Sequence, residues 1–322
     1  MLNDIKKIKK IELHLHLDGS VSKELACKLT NLDSLTIFDK MVAQNKCHDL
    51  GEYLTKFDFP ISLMQTKENL TIIAKDLVDR LERNNVIYAE IRFAPILHTK
   101  NGLTYEEVIE AVIKGLRKNK NVKTNLILCL LRGKEKKENL KTIEVASKYL
   151  GKGVCALDLA GDEKRYKLTE YLDLFKIIKD KNIPFTIHAG EVDYEDIPVA
   201  INLGAKRLGH GVKAIDSPEL IKLIKEKNIL LEICPTSNIQ TNAFLTYKEH
   251  PILKLYKDNI NISINTDNMT VSNIDLNKEY LNLVNTFNFS LEDFRKINKN
   301  AVNYAFLSSL EKIELLEKLK RD

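Results

Sequence analysis

His14, Leu15 and His16 place two imidazoles one residue apart in an apolar run. In a β-strand, residues i and i+2 share a face and sit about 6–7 Å apart at Cα. Two rings so placed can converge on one metal ion at about 2.0–2.1 Å each. Leu13, Leu15 and Leu17 then turn the other way, into packing. Alone, the pair is equally a pair of alternating core or surface histidines; the rest of the chain decides between these readings.

Short β-branched apolar runs recur at 11–17, 86–93, 124–131, 154–159, 184–188, 206–210, 229–234 and 260–266. Amphipathic helical patterns lie between them, at 103–118, 140–150, 168–181, 218–227 and 290–306. Eight strands alternating with helices predict an α/β protein with a parallel sheet, and eight is the number that closes a (β/α)8 TIM barrel. An open doubly wound sheet would want a glycine-rich phosphate turn after the first strand. Here that strand ends in histidines. No linker or composition break interrupts the chain, so residues 1–322 are expected to form a single barrel domain. The stretch from 21 to 85 is too long for one loop and helix, and predicts extra helices between the first and second strands. Its apolar cluster of Leu54, Phe57, Phe59, Pro60 and Leu63 is either ordinary helix packing or the roof of a pocket.

Barrel active sites gather at the carboxyl ends of the strands, and that is where the polar residues fall. His14, His16 and Asp18 close the first run, and Glu90 and Arg92 lie in the second. Arg132 ends the third, while Asp158 in the fourth runs into Gly161, Asp162 and Glu163. His188 and Glu191 follow the fifth, His210 the sixth, Ser237 and Asn238 the seventh, and Asp267 and Asn268 the eighth. Four of seven histidines therefore stand at strand ends. The other three, His48, His98 and His250, fall in loops or helices and are expected to face solvent. His14, His16 and His188 offer three neutral nitrogen ligands. Asp267, adjacent to the first strand once the barrel closes, adds a carboxylate. Such a set leaves a zinc ion with net positive charge, so a bound water is acidified towards neutral pH. His210, flanked by glycines, can take a proton from that water or stabilise it electrostatically. Glu191 can act as an acid towards a ring nitrogen if a dry pocket raises its pKa.

The remaining composition bounds the class. The net charge of +5 is spread over 50 basic and 45 acidic side chains, and no basic patch with interleaved aromatics suggests nucleic acid. Lys134, Lys136 and Lys137 read as a solvated helix start. Five cysteines, an odd number without a CxxC pair, read as buried thiols in a reducing compartment. With no apolar signal core and no stretch long enough for a membrane span, a cytoplasmic protein without a membrane partner is expected. Nothing specifies an oligomeric state.

Taken in order, HLHLDGS, DLAGDE, HAGE, LGHG, CPTSN and NTD resemble the adenosine deaminase family of the metal-dependent amidohydrolase superfamily, over nearly the whole chain. Each segment alone is weak, but the ordered set is specific. The resemblance implies a (β/α)8 barrel and hydrolytic deamination of adenosine, with 2′-deoxyadenosine as a co-substrate, to inosine and ammonia in purine salvage. It implies one Zn2+ per chain on His14, His16, His188 and Asp267. Glu191 would protonate N1 of the purine, and His210 and Asp267 would prepare and orient the water that attacks C6. The Gly161 amide would face N3, and Asp18 the ribose 5′-hydroxyl. His16, Leu54 and Phe57 would line the substrate pocket. One position departs: the family commonly has a second aspartate after the metal-binding one, hydrogen-bonded to N7, and here it is Asn268. An asparagine carries an amide donor at any pH, whereas an aspartate must be protonated to donate. Relatives acting on free adenine resemble HxHxEG at the first motif, where this chain has Asp18. That aspartate would also repel the phosphate of AMP. The H-x-E…P-C-x-x-C pattern of cytidine-deaminase zinc sites does not occur. Adenine deamination, deamination of 5′-modified adenosines and a catalytically silent barrel remain as alternatives.

Overall fold

The computed structural model describes residues 1–320. Eight parallel strands follow one another round a ring: β1 (Lys10–His16), β2 (Val86–Phe93), β3 (Lys123–Leu131), β4 (Val154–Ala160), β5 (Ile187–Ala189), β6 (Arg207–His210), β7 (Leu230–Ile233) and β8 (Asn261–Ile264). β1 to β4 and β5 to β8 form two continuous ladders. Two narrow seams join them. At the first, Leu157 N–H donates to Pro184 O (2.9 Å) and Thr186 N–H to Leu157 O (3.0 Å). At the second, Asp267 N–H donates to His14 O (3.0 Å) and His16 N–H to Asp267 O (2.7 Å). The architecture is the expected (β/α)8 barrel, and the second seam inserts the Asp267 backbone between the two histidines of β1.

The strand boundaries differ from expectation where local chemistry breaks the ladder. β5 begins at Ile187 rather than 184, because Pro184 has no N–H and contributes only its carbonyl. β8 stops at Ile264, and Asp267 turns into the left-handed region (φ +59°) to reach β1. The helical stretch from 168 divides into a 3-10 turn, Leu168–Tyr171, and a helix, Leu172–Asp180.

Between β1 and β2 lie the expected extra helices, Lys23–Thr30, Ser34–Met41, Leu50–Leu54 and Asp58–Leu63, before the long helix Lys67–Arg83. Thr66 starts the long helix by accepting the Asn69 N–H. Its buried face (Leu70, Ile73, Ala74, Leu77, Val78 and Leu81) follows helical spacing and packs into the main core. The cluster from Leu54 to Leu63 divides between both readings: Leu54 and Phe57 line the central pocket, while Phe59 and Leu63 pack on the core.

His98 and His250, expected at the surface, are buried at 0% and 3% exposure. His98 ends the 3-10 turn Pro95–His98 and sets its ring 5.6 Å from that of Phe93. His250 precedes the helix Ile252–Lys257, its ring 5.3 Å from that of Phe244. Both sit on the connections that follow strands, β2 and β7, and are packed into the interior there, a placement that local polarity does not encode. Burial pushes both histidines down to about 3, so they are neutral. His48 is exposed as expected. Cys47, Cys129, Cys155 and Cys234 are buried, Cys27 is half-buried, and all five are unpaired thiols.

Candidate active site and metal centre

Strand alternation turns His14 and His16 to the barrel interior, with ring centroids 5.4 Å apart. His188, from β5, brings its ring to 4.6 Å from His14 and 5.3 Å from His16. Asp267 Oδ1 lies 3.4 Å from Nε2 of both His14 and His16, and the Nε2 atoms of His16 and His188 are 3.3 Å apart. Two ligands at about 2.0–2.1 Å from one ion at a tetrahedral angle are separated by about 3.4 Å. The spacing therefore fits a shared metal ion, and His14 Nε2 is buried without a hydrogen-bond partner. Ligand atoms of His14, His188, His210 and Asp267 all lie within 4.8 Å of one another. The four residues expected to bind metal are brought together, with His210 beside them.

A layer of charge beneath orients these rings. Glu232 Oε2 accepts from His14 Nδ1 (2.8 Å), which leaves the Nε2 lone pair facing the centre. Asp158 Oδ2 lies 2.8 Å from His188 Nδ1. Arg92 holds both acids, at 2.9 Å from Asp158 and 2.7 Å from Glu232, and Arg207 pairs Glu232 (2.6 Å) with Glu90 (2.5 Å). Burial pushes the Asp158 and Glu232 carboxyls up, but their cationic neighbours outweigh it and hold both well below the usual range. Glu232 was not among the residues the sequence analysis singled out. Its signal was available: one acid inside the apolar run Leu230-Leu231-Glu232-Ile233 needs a buried partner.

Asp267 is likewise held low, as the histidines overcome its burial, and its Oδ2 accepts from Ser237 Oγ–H (2.6 Å). Glu191 behaves oppositely. Burial first, then the charges of Asp267 and Glu163, push its carboxyl well above the carboxylate range. Thr241 Oγ–H donates to Glu191 Oε1 (3.0 Å), and Glu191 Oε2 lies 3.6 Å from His210 Nε2. A carboxyl kept protonated in a dry site is suited to giving a proton. Glu163 builds the turn that carries it, accepting the N–H groups of Gly190 (3.0 Å) and Val192 (2.5 Å).

His210 adopts a left-handed backbone (φ +63°), uncommon for a residue with a side chain. Gly209 makes room for the rings behind it: a Cβ there would stand 3.0 Å from His14 Cε1 and 3.2 Å from His188 Cα. Gly19 has the same duty towards Asn268, whose Oδ1 would lie 1.8 Å from a Cβ.

Above these groups opens a cavity of about 260 Å³. Asp18, Leu54, Phe57, Gly161, Glu191, His210 and Asn268 all line it, so every residue expected at the substrate is present. Asp18 is buried, which pushes its carboxyl up to about 7. Asn268 donates to Tyr53 Oη (3.0 Å), and its Oδ1 is buried without a partner. The apolar wall also includes Ala94, Leu97, Cys129 and Leu131, which carried no distinguishing signal in the sequence.

This geometry can hold a divalent metal, place a protonated carboxyl beside it and enclose a small, largely apolar ring. Known proteins resemble the chain in sequence and fold. The adenosine deaminase family profile matches residues 9–322. An adenosine deaminase of Clostridium perfringens (strain SM101) is 43% identical over 324 residues, covering 97% of this chain and 96% of that protein. One from Clostridium botulinum (strain 657) is 41% identical over 326 residues, covering 97% and 98%. Among solved structures, Arabidopsis ADAL complexed with IMP superposes with a TM-score of 0.89 at 25% identity, covering 99% of this chain and 98% of that one. An adenine deaminase from Arthrobacter aurescens, at 22% identity and a TM-score of 0.87 over 98% of each chain, shares the fold. The chain belongs to the adenosine deaminase family, a family of metal-dependent hydrolases.

Proposed function

We propose that residues 1–322 act as one barrel that binds a single zinc ion and hydrolytically deaminates adenosine and 2′-deoxyadenosine to the inosines and ammonia, in the cytoplasm. One observation carries the reading: Glu191, with its raised carboxyl, and His210 stand beside the converging His14, His16, His188 and Asp267 at an apolar-lined pocket. His14, His16, His188 and Asp267 hold the metal. Once bound, the metal supplies Lewis acidity that makes water a nucleophile near neutral pH.

The protein groups then divide the work. Glu191 donates its proton to N1, which draws electron density from C6. Asp267 orients the attacking water, and His210 takes its proton or stabilises its developing charge. The Gly161 amide faces N3. Asn268 has two amide hydrogens and uses one on Tyr53, so the other is available to N7. Leu54, Phe57 and the ring of His16 cover the purine and exclude water.

Asp18 sets the choice among adenine compounds. Its carboxyl, pushed up to about 7 by burial, suits a 5′-hydroxyl in either form and opposes a phosphate when ionised. Arabidopsis ADAL, solved with IMP and with GMP, is the reason to test nucleotides directly. Metal-replete protein is incubated separately with adenosine, 2′-deoxyadenosine, adenine and AMP, and the ultraviolet change of purine deamination is followed. Turnover of the two nucleosides alone is expected. No change with adenosine overturns the reading, and faster turnover of AMP or adenine reassigns the substrate.

A further inference from the structure

From His210 a chain of three side chains, His210, Asn238 and His250, runs to a backbone amide. Ile252 N–H donates to His250 Nδ1 (3.2 Å). A backbone amide cannot reverse its role, so Nδ1 of the neutral His250 ring carries the lone pair and Nε2 the hydrogen. His250 Nε2–H therefore donates to Asn238 Oδ1 (3.2 Å). With its oxygen so engaged, Asn238 turns its amide nitrogen to His210, and Nδ2–H donates to His210 Nδ1 (3.0 Å). All three side chains are buried, at 3%, 0% and 1% exposure. The Phe244 ring packs on His250, and Lys213 Nζ lies 4.5 Å from the centre of the Phe244 ring. The backbone carbonyl of Asn238, in the short helix Pro235–Gln240, accepts from Ala243 N–H (2.9 Å) and Phe244 N–H (3.2 Å), which ties the following loop to that helix.

We infer that His250 is a positioning residue for the deamination: through Asn238 it holds neutral His210 with its hydrogen on Nε2, so that His210 meets the attacking water as a hydrogen-bond donor. This rests on the function proposed above and deepens it. A ring whose lone pair is committed to Asn238 has none at Nε2 to receive a proton. Of the two roles open to His210, orientation and charge stabilisation of the attacking oxygen is the one this arrangement supports. The burial that keeps His250 neutral keeps the relay in one direction at working pH.

The test reads the tautomer as well as the rate. Zinc-loaded protein carrying 15N-histidine is examined by long-range 1H–15N correlation NMR, in which the two neutral tautomers have distinct patterns. The unaltered protein is expected to show His210 protonated at Nε2. His250→Phe keeps the ring shape and its packing on Phe244 but removes the donor. It is expected to mix the His210 tautomers and lower kcat about 10- to 100-fold, the usual effect of losing an orienting partner, with KM for adenosine and zinc content unchanged. His250→Gln restores an acceptor for Ile252 and a donor for Asn238, and is expected to recover most of the rate. Asn238→Asp presents only acceptors and is expected to switch His210 to the Nδ1–H form. A His210 already protonated at Nδ1 in the unaltered protein overturns the inference. So does a His250→Phe variant whose tautomer is unchanged, whatever its rate, or an Asn238→Asp variant that leaves Nε2 protonated. If the unaltered protein does not turn over adenosine, the functional reading falls, and the NMR arm still decides the relay.

Discussion

The interior of the barrel has two storeys built on opposite rules. In the lower one, Glu90, Arg92, Asp158, Arg207 and Glu232 are all at 0% exposure, and each charge faces an opposite charge at 2.5–2.9 Å. In the upper one, His14 Nε2 and Asn268 Oδ1 have no hydrogen-bond partner, and His210 and Asp267 hold left-handed backbones. There Glu191 and Asp18 are pushed towards their neutral forms. Barrels usually fill this interior with layers of branched apolar side chains. Here the lower storey exchanges that packing for paired charges whose free ends aim the His14 and His188 rings. Arg92 Nε and Asp158 Oδ1 also lack a partner below, but His14 Nε2 and Asn268 Oδ1 stand where a metal and a purine would satisfy them.

The comparison can be broken most forcefully from above. Glu191→Gln is expected to retain zinc, measured by elemental analysis, and to lose about 10²- to 10⁴-fold in kcat. Full activity would remove Glu191 as the proton donor. The pH dependence has a definite sign. With the acid form as the working one and its pKa raised by burial, activity should persist above the ordinary carboxylate range and fall as rising pH ionises Glu191. A rate that rises steadily with pH would contradict this.

From below, Arg207→Met leaves Glu90 and Glu232 short of their common cation. Breaking a buried pair from one side costs about 3–5 kcal/mol, to be read by urea denaturation of the zinc-loaded protein. A loss under about 1 kcal/mol would mean that the lower storey tolerates an unpaired acid. Glu232→Gln links the storeys. It weakens the acceptor for His14 Nδ1 and is expected to reduce zinc affinity about 10- to 100-fold, measured by competition with a chelator. Unchanged affinity would separate the charge layer from the metal site. The smallest effect is expected from Asn268→Asp. It replaces a permanent donor with one that must be protonated, so the variant should approach the unaltered rate in mild acid and lose a few-fold above neutrality. A profile identical across pH would show that this contact contributes nothing to turnover.

The upper storey was legible because its residues sit at strand ends in a recurring pattern, and local periodicity reports strand ends well. The lower storey was only half legible. Glu90, Arg92 and Asp158 stood out as charges in apolar strands, but nothing local says that Arg92 bridges Asp158 to Glu232, residues drawn from three different strands. His250 was missed altogether. A histidine in a polar loop resembles a solvated one until it is seen packed on Phe244 and bonded to Asn238. Asn238 was noted at a strand end, but its role depends on which way its amide points, and that is set by a backbone N–H at Ile252.

The sequence by itself determined the eight-stranded alternation and the strand-end placement of the four metal-binding candidates and of Glu191, because each depends on residue type and short-range spacing, while the reading of Asp18 rested on the family resemblance. Only the tertiary structure decided how the ring closes, with the Asp267 backbone inserted between His14 and His16. It also decided which charges pair across the interior, and which nitrogen of each histidine faces the centre. Those outcomes depend on the directions of hydrogen bonds between strands far apart in the chain, and no periodicity carries that information.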